Sequence, residues 1–235
     1  LLNAVWNTDV NPCAFTLNGT GAGYTVDWGD GTTSNVAFGN QAEKNYVYSS
    51  LSGIPFRDYR QALIKITPQA GAVINSVRLS NRHSSYGYTY HTGLLEIICN
   101  IETQNQVSPF TASLLVQHSS CENVFYKKHS STDLQYLFQG FSSLQKVNVF
   151  PTGHCTSIDN MFSYCKSLKE VPAFDFSNVT NAGSAFIGCS VLSEVKSSDF
   201  KKVTNAQAMF RDSYIRNVSN LQFRDANNFY LFNYA

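Results

Sequence analysis

The sequence has few charged residues, and this shortage limits what the protein can bind. Only 14% of its 235 residues are Asp, Glu, Lys or Arg, and the formal net charge is +1. Globular chains usually contain about 25% charged residues, so Asn, Ser, Thr and Tyr must supply much of the polar surface. A surface without an excess of one sign lacks the electrostatic footprint of a nucleic-acid or anionic-lipid binder. We therefore expect contacts with carbohydrate or protein and no nucleic-acid partner.

Long hydrophobic runs are also missing from the sequence. A membrane-spanning helix needs about 20 consecutive apolar residues, and no stretch approaches that length. The longest useful stretch, Leu94 to Cys99, has the length of a single strand. We expect no insertion into a membrane.

Motifs of catalysis and metal binding are missing as well. The six cysteines form no C-x-x-C pair, and the five histidines stand at no metal or triad spacing. No G-x-S-x-G, P-loop, G-x-G-x-x-G or H-E-x-x-H pattern occurs. Asp27 and Asp30 could suggest a cation site, but one such pair supplies too few oxygens, which favours a turn. We predict that the protein is not an enzyme and holds no cofactor or metal.

The C-terminal half contains a repeat with a period of 24 residues. Leucine and valine columns follow this step, as does a cysteine column with Cys165 and Cys189, in which Phe141 and Ser213 replace the cysteine. Such a unit cannot bury its apolar side alone, so we expect the units to stack with parallel strands. The most regular column consists of phenylalanines, namely Phe138, Phe162, Phe186 and Phe210.

The stacking predicts that Cys165 and Cys189 are neighbours inside the core. A buried ladder of free thiols is favoured over a disulfide, because free cysteine packs as a small hydrophobic residue. Residues 77–79 and 95–98 are strand-like and are candidates for degenerate repeat strands nearer the start of the chain.

This repeat resembles the BspA-type leucine-rich repeats. The pattern M-F-x-x-C-x-S-L-x-x-V-P-x-F-D-x-S-N-V-T-N is most complete from Met161 to Asn181. The resemblance covers about residues 112–232 and implies a leucine-rich-repeat solenoid. Repeats of this type occur in bacterial surface proteins and in some bacteriophage fibre and adhesin proteins.

The first 70 residues show no such period, and short alternating stretches between turn residues predict an all-β sandwich. In the segment W-G-D-G-T, Trp28 can enter the core, while Asp30 and Gly31 form a tight turn. The segment resembles the W-x-F-G-D-G-T motif of PKD-type immunoglobulin-like domains, which implies a spacer or adhesion module.

The predicted fold class is therefore mainly β, in three parts. Residues 1–70 form a PKD/immunoglobulin-like β-sandwich, and residues 71–111 form a junction with degenerate repeat strands and a Tyr-rich loop. Residues 112–235 form a short BspA-like leucine-rich-repeat solenoid with 24-residue repeats. The order of these parts resembles that of bacteriophage tail-fibre and adhesin-like proteins.

Two regions are candidates for binding a ligand or partner. Tyr86, Tyr88 and Tyr90 would share one face of a strand and could contact sugars or proteins, but a role in covering the joint between the two parts is slightly favoured. The second candidate is the outer face of the repeat strands, whose alternative role is a solvated edge. Its residues are Phe125, Lys146, Asn148, Lys169, Glu170, Glu194 and Lys196.

The leading functional hypothesis is a non-enzymatic extracellular binding module on a virion appendage. It would be a bacteriophage fibre or adhesin-type protein, homo-oligomeric within an assembly, whose partner is a host cell-surface glycan or protein or another virion protein. One alternative is a structural decoration or spacer protein of a capsid or tail. Another is a bacterial cell-surface adhesin.

Overall fold

The described part of the chain is built from β-strands and turns and contains no α-helix. The computed structural model describes residues 1–55, 57–79, 83–86, 93–99, 120–127, 131–196, 199–215, 218, 221–223 and 231. The prediction of a mainly β chain is confirmed. The strands of the N-terminal part are β1 (Leu2–Trp6), β2 (Pro12–Thr20), β3 (Tyr24–Asp27), β4 (Thr33–Val36), β5 (Gln41–Asn45), β6 (Tyr59–Leu63), β7 (Lys65–Pro68) and β8 (Val73–Arg78).

The remaining strands are shorter towards the C-terminal end, and one 3₁₀ turn, Tyr48–Ser50, follows β5. These strands are β9 (Leu94–Cys99), β10 (Asn123–Tyr126), β11 (Lys146–Val147), β12 (Glu170–Val171), β13 (Glu194–Val195), β14 (Asp199–Phe200) and β15 (Gln222–Phe223). No helix in the described ranges is long and apolar enough to cross a bilayer.

Two antiparallel three-stranded sheets form the N-terminal part, in the orders β5-β2-β8 and β4-β3-β7. The ring of Phe15 on β2 packs 5.7 Å from the ring of Trp28, which follows β3, and this contact links the two sheets. Strand β8 pairs antiparallel with β2, with Leu17 opposite Val77. The expectation of a degenerate repeat strand at residues 77–79 is therefore wrong, because alternation of apolar residues does not reveal the direction of the partner strand.

The W-G-D-G-T segment is a structural turn that closes the β3–β4 hairpin. Gly29 and Gly31 have φ angles of 74° and 85°, which glycine adopts without steric cost. Asp30 accepts hydrogen bonds from the backbone and hydroxyl of Thr32 and forms an ion pair with Lys44 at 2.6 Å. Partial burial raises the pKa of the Asp30 carboxyl, but the bonds from Lys44 and Thr32 outweigh this, so the pKa is lowered.

A mixed sheet of order β11-β10-β9-β1-β6 joins the N-terminal part to the repeats. Strands β9, β10 and β11 are parallel, so the strand expected at residues 95–98 belongs to the parallel series. Strand β1 pairs antiparallel with both β9 and β6. One hydrogen-bonded sheet therefore spans both parts of the chain.

The C-terminal region consists of parallel strands whose contacts recur every 24 residues. Strands β12 and β13 pair in parallel, as do β14 and β15. On another side of the same repeats, parallel bridges link Asp133, Ser157, Asn181 and Asn205 in series. The phenylalanine column stacks as expected, with centroid distances of 5.2, 5.7 and 5.4 Å along Phe138, Phe162, Phe186 and Phe210.

All six cysteines are buried and carry free thiols, so the predicted thiol ladder is present. The Cys165 thiol donates to the Phe138 carbonyl at 3.0 Å, and the Cys189 thiol donates to the Phe162 carbonyl at 3.0 Å. Burial raises the pKa of the Cys189 thiol to about 12 and raises that of Cys165 well above its usual value. Neutral thiols with a carbonyl partner behave as core side chains.

Each repeat contains two residues with left-handed backbone conformation, at positions four residues apart. The first column is Tyr136, Asn160, Ser184 and Ala208, with φ angles of 61°, 53°, 51° and 53°. The second column is Gly140, Tyr164, Gly188 and Asp212, with φ angles of 76°, 60°, 69° and 56°. A residue with a Cβ pays about 1–2 kcal/mol for this conformation, so six of these eight positions are strained.

Candidate binding surface

The outer face of strands β9 to β13 is the first candidate site, and we call it the strand face. Ile98 on β9 and Phe125 on β10 are register partners on neighbouring parallel strands. Their exposed fractions are 56% and 41%, whereas the adjacent Ile97 and Val124 are fully buried on the opposite face. Two large apolar side chains therefore lie side by side in solvent, on a sheet whose other face is packed.

Charged residues occupy the part of the strand face formed by β12 and β13. The Lys196 ammonium lies 2.9 Å from the Glu170 carboxylate of the preceding repeat, and both side chains are about half exposed. The hydrogen bond that Lys196 donates to Glu170 raises the pKa of Lys196. Exposed pairs of this kind contribute little to stability, so they remain able to exchange partners. Lys146, Lys169 and Glu194 are also exposed on these repeats, as predicted from the sequence.

Asn148 has a role that differs from the binding role predicted for it. Its side-chain oxygen accepts a hydrogen bond from the Tyr126 backbone at 2.6 Å, and its amide donates to the carbonyls of Tyr126 and Val149 at 2.7 and 2.9 Å. Both amide protons are thereby used. Asn148 therefore extends the pairing between neighbouring repeats and has no free donor for a ligand.

The predicted tyrosine strip lies mostly outside the described residues. Tyr88 and Tyr90 are not described, and their predicted role is untested. Tyr86 packs against His83, with ring centroids 4.9 Å apart. The short segment that carries both rings is attached to β5, because Ser84 donates two hydrogen bonds to the Glu43 carboxylate.

An apolar cavity of about 460 Å³ lies beside the strand face, between β7 and β8. Its walls include Leu17, Ile66, Val77 and Leu79, and Ile98 and Cys99 line it from β9. Burial raises the pKa of the Cys99 thiol to about 12, which leaves this group a poor nucleophile at neutral pH. The cavity offers apolar surface and no acid–base pair.

Sequence reasoning missed Ile98, the cavity and the exposed tyrosines of the repeats. Ile98 was assigned only to a possible repeat strand, although its alternation with Ile97 could have identified it as outward-facing. Tyr164 and Tyr214 are 41% and 57% exposed. In the described ranges, no group of three or more His, Cys, Asp or Glu side chains is arranged to hold a metal ion.

The comparisons with known proteins concern the repeats. Residues 123–234 match the model of the family DUF285, described as a Mycoplasma protein of unknown function, with BspA-like repeats of the leucine-rich type. The match spans just under half of the chain, and the N-terminal region matches no family. No curated protein and no solved structure matches the chain.

Proposed function

We propose that the protein is a non-enzymatic extracellular binding module that contacts a protein partner through the strand face. In this proposal the N-terminal part is a PKD/immunoglobulin-like sandwich, and the repeats form a BspA-like leucine-rich-repeat solenoid. The antiparallel sheets joined by Trp28 support the first assignment. The family match and the parallel strands support the second.

The exposed pair of Ile98 and Phe125 carries this proposal. Apolar side chains that are adjacent in solvent mark interaction surfaces more often than isolated ones do. Because both residues lie on a hydrogen-bonded sheet, a partner would not have to order them on binding. The pair of Lys196 and Glu170, on later strands of the same face, provides charges of both signs that can fix the orientation of a partner.

The setting of such a module is either a virion appendage or a bacterial cell surface. The tandem order of the two motifs supports a bacteriophage fibre or adhesin-type protein that contacts the host surface or another virion protein. The description of the matched family as a Mycoplasma protein favours the cell-surface adhesin. A decoration or spacer protein remains a further candidate, and it would use the strand face to bind neighbouring copies.

The purified chain can be tested for binding to intact bacterial cells by flow cytometry and for self-association by analytical ultracentrifugation. A double variant, Ile98→Ser with Phe125→Ser, should lose about tenfold or more in affinity, because each side chain loses roughly 1.5 kcal/mol of apolar burial. Ile54→Ser is the matched control, because Ile54 is 94% exposed and belongs to the loop between the 3₁₀ turn and β6.

Three outcomes decide the proposal. If the double variant loses cell binding while Ile54→Ser keeps it, and the stability of the double variant is unchanged, the result supports a surface adhesin. Loss of self-association only supports the decoration or spacer protein. Equal binding by the double variant and the wild type would show that the strand face is not the contact surface.

A further inference from the structure

Two exposed tyrosines, Tyr164 and Tyr214, lie in turns of the repeats, outside the strands that form the strand face. Tyr164 belongs to the second left-handed column, in which Gly140 and Gly188 occupy the equivalent positions. Bulky residues with a φ angle near +60° are genuine outliers. The chain thus keeps an aromatic side chain at a position where the two equivalent residues are glycine.

The ring of Tyr164 lies directly over Gly188 of the next repeat. A Cβ atom at Gly188 would stand only 2.5 Å from Cδ1 and 2.8 Å from Cε1 of the tyrosine, so no larger residue fits beneath the ring. The ring is therefore supported by backbone while 41% of the residue stays exposed. This arrangement gives a rigid aromatic surface with little conformational entropy left to lose on binding.

Tyr214 stands on the opposite side of the same backbone segment. The Tyr164 amide donates to the Ile187 carbonyl at 2.7 Å, and the Tyr214 amide donates to the Cys189 carbonyl at 3.3 Å. Gly188 lies between these two acceptors, so the backbones of the two tyrosines are bonded to the residues on either side of it. Two inter-strand steps of about 4.8 Å separate their repeats, which places their backbones about 10 Å apart. We call this arrangement the tyrosine shelf.

The rim of the tyrosine shelf is polar and nearly balanced in charge. Ser190 and Lys166 are exposed beside it, with the Ser190 hydroxyl donating to the Lys166 carbonyl at 3.4 Å. On the far side, Arg211 and Asp212 form an ion pair at 3.4 Å. These polar residues adjoin Tyr164, Gly188 and Tyr214 in the chain and supply both hydrogen-bond donors and acceptors.

We infer that the tyrosine shelf binds an oligosaccharide of neutral pyranose units. A pyranose ring presents an apolar C–H face, which stacks on an aromatic ring, and a rim of hydroxyl groups, which need both donors and acceptors. The shelf supplies rings, donors and acceptors in this arrangement. The rim carries two positive charges and one negative charge, which is too small an excess to select a polyanion. This site lies apart from the strand face and goes beyond the function proposed for it.

Isothermal titration calorimetry with short soluble glucose, mannose, galactose and N-acetylglucosamine oligosaccharides tests the inference. The wild type should bind at least one of them with a Kd below about 1 mM. Tyr164→Gly should lose about tenfold or more in affinity while its thermal stability stays equal or rises, because glycine relieves the strained φ angle. Tyr164→Phe keeps the ring and should stay within about threefold of the wild type.

Tyr136→Gly is the matched control, because Tyr136 is also left-handed and exposed but lies outside the shelf. It should gain stability in the same way and retain saccharide binding. Binding that persists in Tyr164→Gly, or a wild type that binds none of these saccharides, overturns the inference. The double variant of Ile98 and Phe125 should retain saccharide binding, so failure of one proposal does not imply failure of the other.

Discussion

The N-terminal part and the repeats bury comparable aromatic side chains by different means. In the N-terminal part each contact occurs once, as when Trp28 packs 5.7 Å from Phe15 and 6.4 Å from Tyr46. In the repeats the same contact recurs, as when Phe186 stacks at 5.7 and 5.4 Å on its two equivalents. The first part therefore depends on single contacts between unique side chains, whereas the repeats depend on one contact that is made several times.

The largest expected effect comes from Trp28→Ala. Trp28 is only 2% exposed, and its loss should cost about 4 kcal/mol because it leaves a cavity between the two sheets. Urea unfolding followed by fluorescence and by hydrogen exchange measures this effect. Since β1 and β9 share one sheet, protection should fall in β9 and β10 as well. Two separate transitions, with the repeats unaffected, would contradict this coupling.

Asp30→Asn should destabilise the N-terminal part by about 2 kcal/mol, because it removes the ion pair with Lys44. The Asp30 side chain is only 7% exposed, so water screens this pair weakly. The pKa of Asp30 is lowered in the fold, so this stability is present above the ordinary value of 3.8 and is lost as the pH falls further. Unfolding measured from neutral to acidic pH tests the sign.

Asp175→Asn is the control within the repeats. Hydrogen bonds from Ser177 lower the pKa of Asp175 as well, but this carboxylate is exposed, so the substitution should have a smaller effect. An equal loss of stability in both variants would mean that burial of the Asp30 pair is not what distinguishes the two turns.

Cys189→Ala should cost about 1.5 kcal/mol, because it removes both a buried sulfur and its hydrogen bond to the Phe162 carbonyl. Its N-terminal counterpart is Cys13, which is equally buried and whose thiol pKa is also raised to about 12. Alkylation by iodoacetamide should be negligible at both thiols until the chain unfolds. Rapid modification of the folded protein would show that the thiol ladder opens.

The smallest effect is a gain in stability. Ala208→Gly should stabilise the repeats by about 1 kcal/mol, because Ala208 has a φ angle of 53°. Ala206→Gly is the control, since Ala206 is buried outside the two left-handed columns and should lose about 1 kcal/mol. Thermal unfolding of the two variants should shift in opposite directions. Shifts in the same direction would contradict the strain at Ala208.

Sequence reasoning succeeded where the same environment repeats. The column of Phe162, Phe186 and Phe210 has one burial pattern in every copy, so its period is visible without a structure. The left-handed columns were not visible, because only Gly140 and Gly188 among eight positions are glycine. Direction of pairing was also hidden, because the apolar alternation of a strand is the same beside a parallel or an antiparallel partner.

The positions of the candidate binding residues were predicted unevenly for a related reason. Lys196 and Glu170 were assigned correctly to the outer face, because alternation along a strand determines which side a residue faces. Asn148 was predicted to bind a ligand, but its amide replaces missing ladder bonds to Tyr126, and such a use depends on the neighbouring repeat. The tyrosine shelf combines residues from three repeats and could not be found from one copy.

Strand β1 pairs antiparallel with β9 and therefore occupies the N-terminal edge of the series of parallel strands. Because β1 occupies that edge of β9, an inserted 24-residue block can join the parallel strands only among the repeats themselves. Each added block would lengthen the repeat array by about 4.8 Å and leave the N-terminal part untouched. The number of repeats would then set how far the later repeats, which carry Tyr164 and Tyr214, stand from the N-terminal part.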